Sequence, residues 1–185
     1  MKLFGVRFHP AGLYPLLRSS LSELTDKVEN IEAVLGIRGK ELEEKIFESG
    51  SDAERIAVFE NMMNKIFEGP QIRGLTSVGL DMIIKNQGQI KVEDVARSLE
   101  TNTKTLERHF NREIGINPKM FCRVERLQNV LQSIKKVPGM RWTEIAYSFG
   151  YVDQAHFIRD FRGFAGVSPS AFVKQQNTIS DSFVG

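Results

Sequence analysis

Three histidines, His9, His109 and His156, and one cysteine, Cys122, are the side chains of this sequence with most scope for nucleophilic, acid–base or metal chemistry. Their spacing serves none of it. No HExxH pair sets two imidazoles on one helical face, and no glycine-rich loop leads into a helix to cradle a phosphate. The proline inside "GVSPS" (166–170) spoils the sharp turn that a serine nucleophile needs. A lone cysteine builds neither an internal disulfide framework nor a cysteine-based zinc site. It suits a reducing compartment such as the cytoplasm, with Cys122 read as a buried apolar residue. The expectation is therefore of no catalytic residues, no metal and no cofactor.

What does recur with fixed spacing is a block of 23 residues. "LETNTKTLERHFNREIGINPKMF" (99–121) returns as "GYVDQAHFIRDFRGFAGVSPSAF" (150–172), matching Leu106 with Phe157, Phe110 with Phe161, Gly115 with Gly166, Pro118 with Pro169 and Phe121 with Phe172. Each copy reads as a short helix with a small residue at its middle, Ala96 or Ala146, then a tight turn and a longer helix with apolar residues four apart. The alanine lets the two helices approach, the apolar pair points inward, and the first turn of the longer helix projects, shaped to enter a major groove. From Ala96 to Leu106 is 10 residues and from Ala146 to Phe157 is 11, so the second turn is one residue longer.

The remaining elements must carry these two units. Helices are expected over Leu75–Lys85, Val92–Leu99, Thr103–Ile114 (N-cap Asn102), a long one from Pro118 to about Lys135, Trp142–Phe149, Gln154–Ala165 (N-cap Asp153), and one from Pro169 capped by Ser168. Before them, Leu3–Phe8 alternates as a strand with one buried face. Leu21, Leu24, Val28, Ile31 and Leu35 form a helical stripe ended at Gly36 and Gly39, and a short helix follows at Glu41–Glu48. Ser51 and Glu54 form a capping box before a helix with Ile56, Phe59, Met63, Ile66 and Phe67 on its apolar face, stopped by Gly69-Pro70. Residues 1–70 hold 9 Lys/Arg against 12 Asp/Glu, whereas 71–185 hold 16 against 11, so the positive excess lies with the repeat. No run approaches the roughly 18 apolar residues of a membrane helix, and no membrane partner is expected.

Residues Leu75 to about Lys174 resemble the DNA-binding domain of the AraC/XylS family of transcriptional regulators, most closely in "GYVDQAHFIRDFRGFAGVSPSAF". The resemblance implies an all-α fold of two helix-turn-helix units joined by a long linker helix, preceded here by a helical region and one orphan N-terminal β-strand. The domain boundaries follow: 1–12, the terminal strand of an upstream β-rich sensing domain; 13–70, a helical linker or interaction region; 71–176, the dual helix-turn-helix domain; 177–185, a frayed tail. A linker helix of about 18 residues is about 27 Å long, against about 34 Å between successive major-groove faces. A lone strand encloses no ligand cavity, so no response to a small-molecule inducer is expected of this chain alone.

By the same resemblance, base contacts fall to Lys104, Glu107 and Arg108 in the first copy and to Gln154, Ala155, His156 and Arg159 in the second. Thr103, Arg112, Lys119, Arg162 and Ser168 serve phosphates. The arginines suit a bidentate pair with guanine, Gln154 an adenine, and Ala155 a thymine methyl. Each arginine also has a plainer reading as a helix-surface ion pair, Arg159 with Asp160 for instance. The partners implied are double-stranded DNA, RNA polymerase and, through residues 1–70, a second copy. The competing reading is a helical protein-interaction adaptor that binds no DNA.

Overall fold

The computed structural model describes residues 4–17, 19–66, 74–136 and 139–182, with 176–182 given by backbone alone. Leu3, Phe67, the Gly69-Pro70 break, Pro138, residues 183–185 of the tail and the side chain of Ile66 lie outside that description. Among the described residues the regular structure is helical. The elements are α1 (Tyr14–Leu17), a 3-10 turn at Leu21–Glu23, α2 (Ile31–Leu35), α3 (Ile37–Glu48), α4 (Asp52–Ile66), α5 (Leu75–Lys85), α6 (Val92–Ser98), α7 (Thr103–Glu113), α8 (Pro118–Lys136), α9 (Trp142–Ser148), α10 (Gln154–Ala165) and α11 (Pro169–Ser182). Among the described residues no helix is long and apolar enough to cross a membrane.

The N-terminal part departs from expectation in three places. The orphan strand is not formed: residues 4–9 carry no strand pairing. A strand needs a neighbour for its amides and carbonyls, and none among the described residues runs beside this one. The Phe8 ring instead stands edge-on to Phe59 at 6.2 Å, while Val6 stays exposed. The single helix expected across Leu21–Leu35 is also broken, because Asp26 takes a left-handed φ of 58° and Asn30 starts a new helix by accepting a hydrogen bond from the Glu32 amide at 2.8 Å. Val28, on the expected stripe, is fully exposed. Gly36, with φ 62°, does separate α2 from α3, but Gly39 lies inside α3, where a Cβ would strike the Ile31 carbonyl. The third departure is a cavity of about 750 Å³, bounded by residues including Phe4, Phe8, Leu13, Leu35, Phe59 and Met63. Helices and irregular chain line here an open-sided hollow, where a lone strand would form none.

The capping box before α4 forms as the sequence predicts. The Glu54 amide donates to Ser51 Oγ at 3.2 Å, and the Glu54 carboxylate accepts from the Ser51 and Gly50 amides at 3.2 and 2.7 Å.

Contacts divide the chain into two units that interleave in sequence. The first comprises Met1–Met82 and Val92–Pro118; the second comprises Ile83–Lys91 and Lys119–Gly185. Each contains one copy of the repeat: α6 and α7 in the first unit, α9 and α10 in the second.

Candidate nucleic-acid interface

The two copies repeat down to individual backbone hydrogen bonds. At the end of α6 the Thr101 amide donates to Ala96 O at 3.0 Å and Glu100 is left-handed, φ 52°. At the end of α9 the Tyr151 amide donates to Ala146 O at 2.9 Å and Gly150 is left-handed, φ 69°. This bonding closes a helix through a left-handed residue. Both alanines are buried, so nothing larger than a methyl separates the paired helices. After the turn, Asn102 caps α7 by accepting from the Thr105 amide at 2.8 Å, and Asp153 caps α10 by accepting from the His156 amide at 2.6 Å. Thr101 and Tyr151 are 50 apart and Asn102 and Asp153 are 51 apart. The extra residue of the second turn is therefore Val152, which stands exposed.

Behind each projecting helix lies its own core. Leu106 and Phe110 are wholly buried in the first unit. There a Cβ on Gly79 of α5 would come 3.2 Å from the Phe110 ring, so the glycine lets α5 lie close on α7. In the second unit Phe157 and Phe161 are wholly buried within a cluster that also holds Val130, Ile145, Ala146 and Tyr151. Phe157 stands edge-on to Tyr151 at 5.3 Å and to Phe161 at 5.8 Å, and Phe161 to Phe172 at 5.5 Å. Burial of about 1.5–3 kcal/mol for each such side chain seats the helix, and what remains outward is the opposite face.

On α7 that face carries Lys104 and, three and four residues on, Glu107 and Arg108, all exposed; on α10 it carries Ala155, Arg159 and Arg162, also exposed. Arg108 and Arg159 occupy matching positions in the two copies, and neither forms an ion pair among the described residues. The plainer reading of Arg159 fails because Asp160 is already engaged: its carboxylate accepts from the Arg123 guanidinium at 2.7 Å and from the Tyr151 hydroxyl at 3.2 Å. Lys119 is exposed in the first turn of α8. The first turns of α7, α8 and α11 contain no acidic residue, whereas α10 is capped by the Asp153 carboxylate, so the positive helix end goes without a local counter-charge at the first three alone.

The other expected contact residues are less free. Arg112 is bound to Glu113 at 2.5 Å and lies over the Tyr14 ring at 5.5 Å. Burial raises the Glu113 pKa, but hydrogen bonds from Arg112 and His109 outweigh it and hold the carboxyl below the ordinary glutamate range. His156 is half-buried, its ring edge-on to Tyr151 at 5.3 Å. Gln154 is half-buried, and its Oε1 accepts from Thr143 Oγ1 at 2.8 Å. Thr103 is half-buried, and Ser168 is held in capping α11, its Oγ accepting from the Ala171 amide at 3.3 Å.

Sequence reasoning missed the supports under α10. Asp160 is nearly buried, and its partner Arg123 comes from α8, 37 residues earlier, stacking on Phe164 at 4.9 Å. Arg126, a turn further along α8, lies over the Tyr151 ring at 5.0 Å and donates to Gly88 O at 2.9 Å. The one available signal was an acid set inside the aromatic run "FIRDFRGF".

Fold and site together define a helix-turn-helix protein, and residues 95–175 match the family model of a helix-turn-helix domain. The chain is similar to the HTH-type transcriptional regulator MtrA of Neisseria gonorrhoeae, at 25% identity over 113 residues, which is 61% of this chain and 37% of that protein. The chain thus spans well under two thirds of the length of the relative it matches. With the doubled motif, these matches support the resemblance of the repeat to AraC/XylS regulators.

Proposed function

We propose that this chain is a DNA-binding transcription regulator whose helices α7 and α10 read two adjacent major grooves of one asymmetric site. The observation that carries the reading is the pair Arg108 and Arg159. These are two exposed guanidinium groups at matching positions on two capped, deeply seated helices, with no acid among the described residues holding either. A guanidinium so placed suits bidentate pairing to guanine O6 and N7. Lys119, in the first turn of α8, and the exposed Arg162 suit phosphates. Support for two grooves comes from the doubling itself and from α8, whose 19 residues make a rod of about 28 Å. Support for unlike half-sites comes from the outward residues, Lys104, Glu107 and Arg108 against Ala155, Arg159 and Arg162.

The test is competition binding on a duplex selected from random sequence, followed by footprinting. Arg159→Ala should lose about 1–3 kcal/mol on the selected site and relax preference at one base pair. Lys119→Ala should weaken all sequences alike and make binding less dependent on salt. An unchanged preference profile for Arg159→Ala, or protection of a single groove, would refute the reading.

A further inference from the structure

We infer that Thr143 decides which base Gln154 reads, by holding its side-chain carbonyl so that the amide leads with its donors. This rests on the DNA-reading role proposed above. Thr143 lies on α9 and Gln154 opens α10, so the hydrogen bond from Thr143 Oγ1 to Gln154 Oε1, 2.8 Å long, bridges the two helices of the second unit at the base of the projecting turn. A glutamine held by nothing presents Oε1 and Nε2 side by side. That is the acceptor–donor pair that matches adenine N6 and N7. Here Oε1 is turned to the Thr143 hydroxyl of α9, and Nε2 is the group left to face a base edge. An amide NH₂ without its carbonyl fits acceptors, namely guanine O6 and N7 or thymine O4.

The surroundings leave this amide as the oriented polar group of the first turn of α10. Ala155 has no polar atom, and the His156 Nδ1 faces the Val152 amide at 3.5 Å, folded back on the turn. The arrangement belongs to the second copy alone. The matching positions in the first hold Glu93 and Thr103, and no hydrogen bond joins them among the described residues. Thr143 is a positioning residue: it acts through Gln154 and touches no base.

The experiment is selection of bound duplexes from random sequence by the 185-residue chain and by its Thr143→Val, Thr143→Ser and Gln154→Ala variants, followed by competition on single-base variants. One position should favour guanine or thymine over adenine by about tenfold in the unmodified chain, the order expected of a base-edge contact. Thr143→Val keeps the branched shape at an exposed site but frees Oε1. Adenine should therefore gain about fivefold to tenfold at that position alone, with the unfolding midpoint unchanged. Thr143→Ser retains the hydroxyl and should keep the original profile, while Gln154→Ala should flatten that position. A purely structural role for Thr143 predicts instead a uniform loss across all sequences. That result, an unmodified chain that already prefers adenine there, or identical profiles for Thr143→Val and the unmodified chain would overturn the inference. The proposed function would still stand if Arg159→Ala relaxes its own base pair. If the unmodified chain discriminates among no sequences, that function falls as well.

Discussion

Gly88→Ala should destabilise the second unit far more than its one added methyl suggests. Gly88 closes the turn after α5 with φ 72°, a left-handed conformation that costs an alanine about 1–2 kcal/mol. The added Cβ would also run into the carbonyl oxygen of Cys122 and stand 2.9 Å from the amide nitrogen of Arg126. Both are backbone atoms of α8, so no rotamer change relieves the overlap. Overpacking of this kind costs about 1–3 kcal/mol. Together the effects come to about 2–5 kcal/mol, which for a chain of this length lowers Tm by about 4–20 °C. Trp142 is the sole tryptophan and stacks on Phe157 at 6.1 Å, so its fluorescence follows unfolding of the same unit. The control is Gly163→Ala in α10, where the nearest atom to the new Cβ is Arg123 Nη2 at 3.9 Å. Replacing a helical glycine with open space beside it should stabilise by about 0.5–1 kcal/mol. Two shifts of the same sign, or a Gly88→Ala midpoint within about 1 °C of the parent, would refute the reasoning.

The ion pair under α10 should prove unequal when halved. Arg123→Ala leaves the Asp160 carboxylate, 8% exposed, without its counter-charge, whereas Asp160→Ala leaves Arg123, 40% exposed, able to turn to water. We expect losses of about 2–4 and about 1–2 kcal/mol in urea unfolding, and the reverse order would contradict the geometry. Because the folded pKa of Glu113 is lowered, its contribution is full above the ordinary glutamate value of about 4.3 and is lost as pH falls through the folded value. Glu113→Gln should therefore flatten the acid limb of the stability curve and leave its slope near neutrality alone. Burial pushes the Cys122 thiol up to about 11, so iodoacetamide at neutral pH should label the native chain at least about a hundredfold more slowly than the urea-unfolded one.

The helices of the repeat were legible because local chemistry marks their ends. Asn102 and Asp153 cap as read, Pro118 and Pro169 open helices, and Gly166 closes α10 in a left-handed conformation. The equivalent residue at the end of α6 was not legible. Glu100 takes the conformation that Gly150 takes in α9, and a glutamate carries no sign of it. Periodicity misled at Leu21–Leu35, since a stripe records spacing but not whether anything lies against it. It misled again at Phe4–Phe8, where alternation indicates one buried face but supplies no neighbouring strand. The candidate contact residues were found by their positions on helices, but how far each is free depends on partners distant in sequence. Arg123 with Asp160 and Thr143 with Gln154 are joined by packing that no local pattern encodes.

The clasp on residues 88–90 determines how this chain can be synthesised and dissected. Arg126 donates to Gly88 O at 2.9 Å, Cys122 Sγ to Ile90 O at 3.9 Å, and Gln89 Nε2 to Ser148 O at 3.2 Å. On the ribosome, at about 5–20 residues per second, this loop emerges some seconds ahead of its partners, and the whole first copy is made in the interval. Completing the second unit therefore means capturing a segment that was laid down early. A fragment begun at Lys119 would contain every helix of the second copy and still lack part of the surface on which they settle. A knife set between the two repeats in sequence would cut through the second unit.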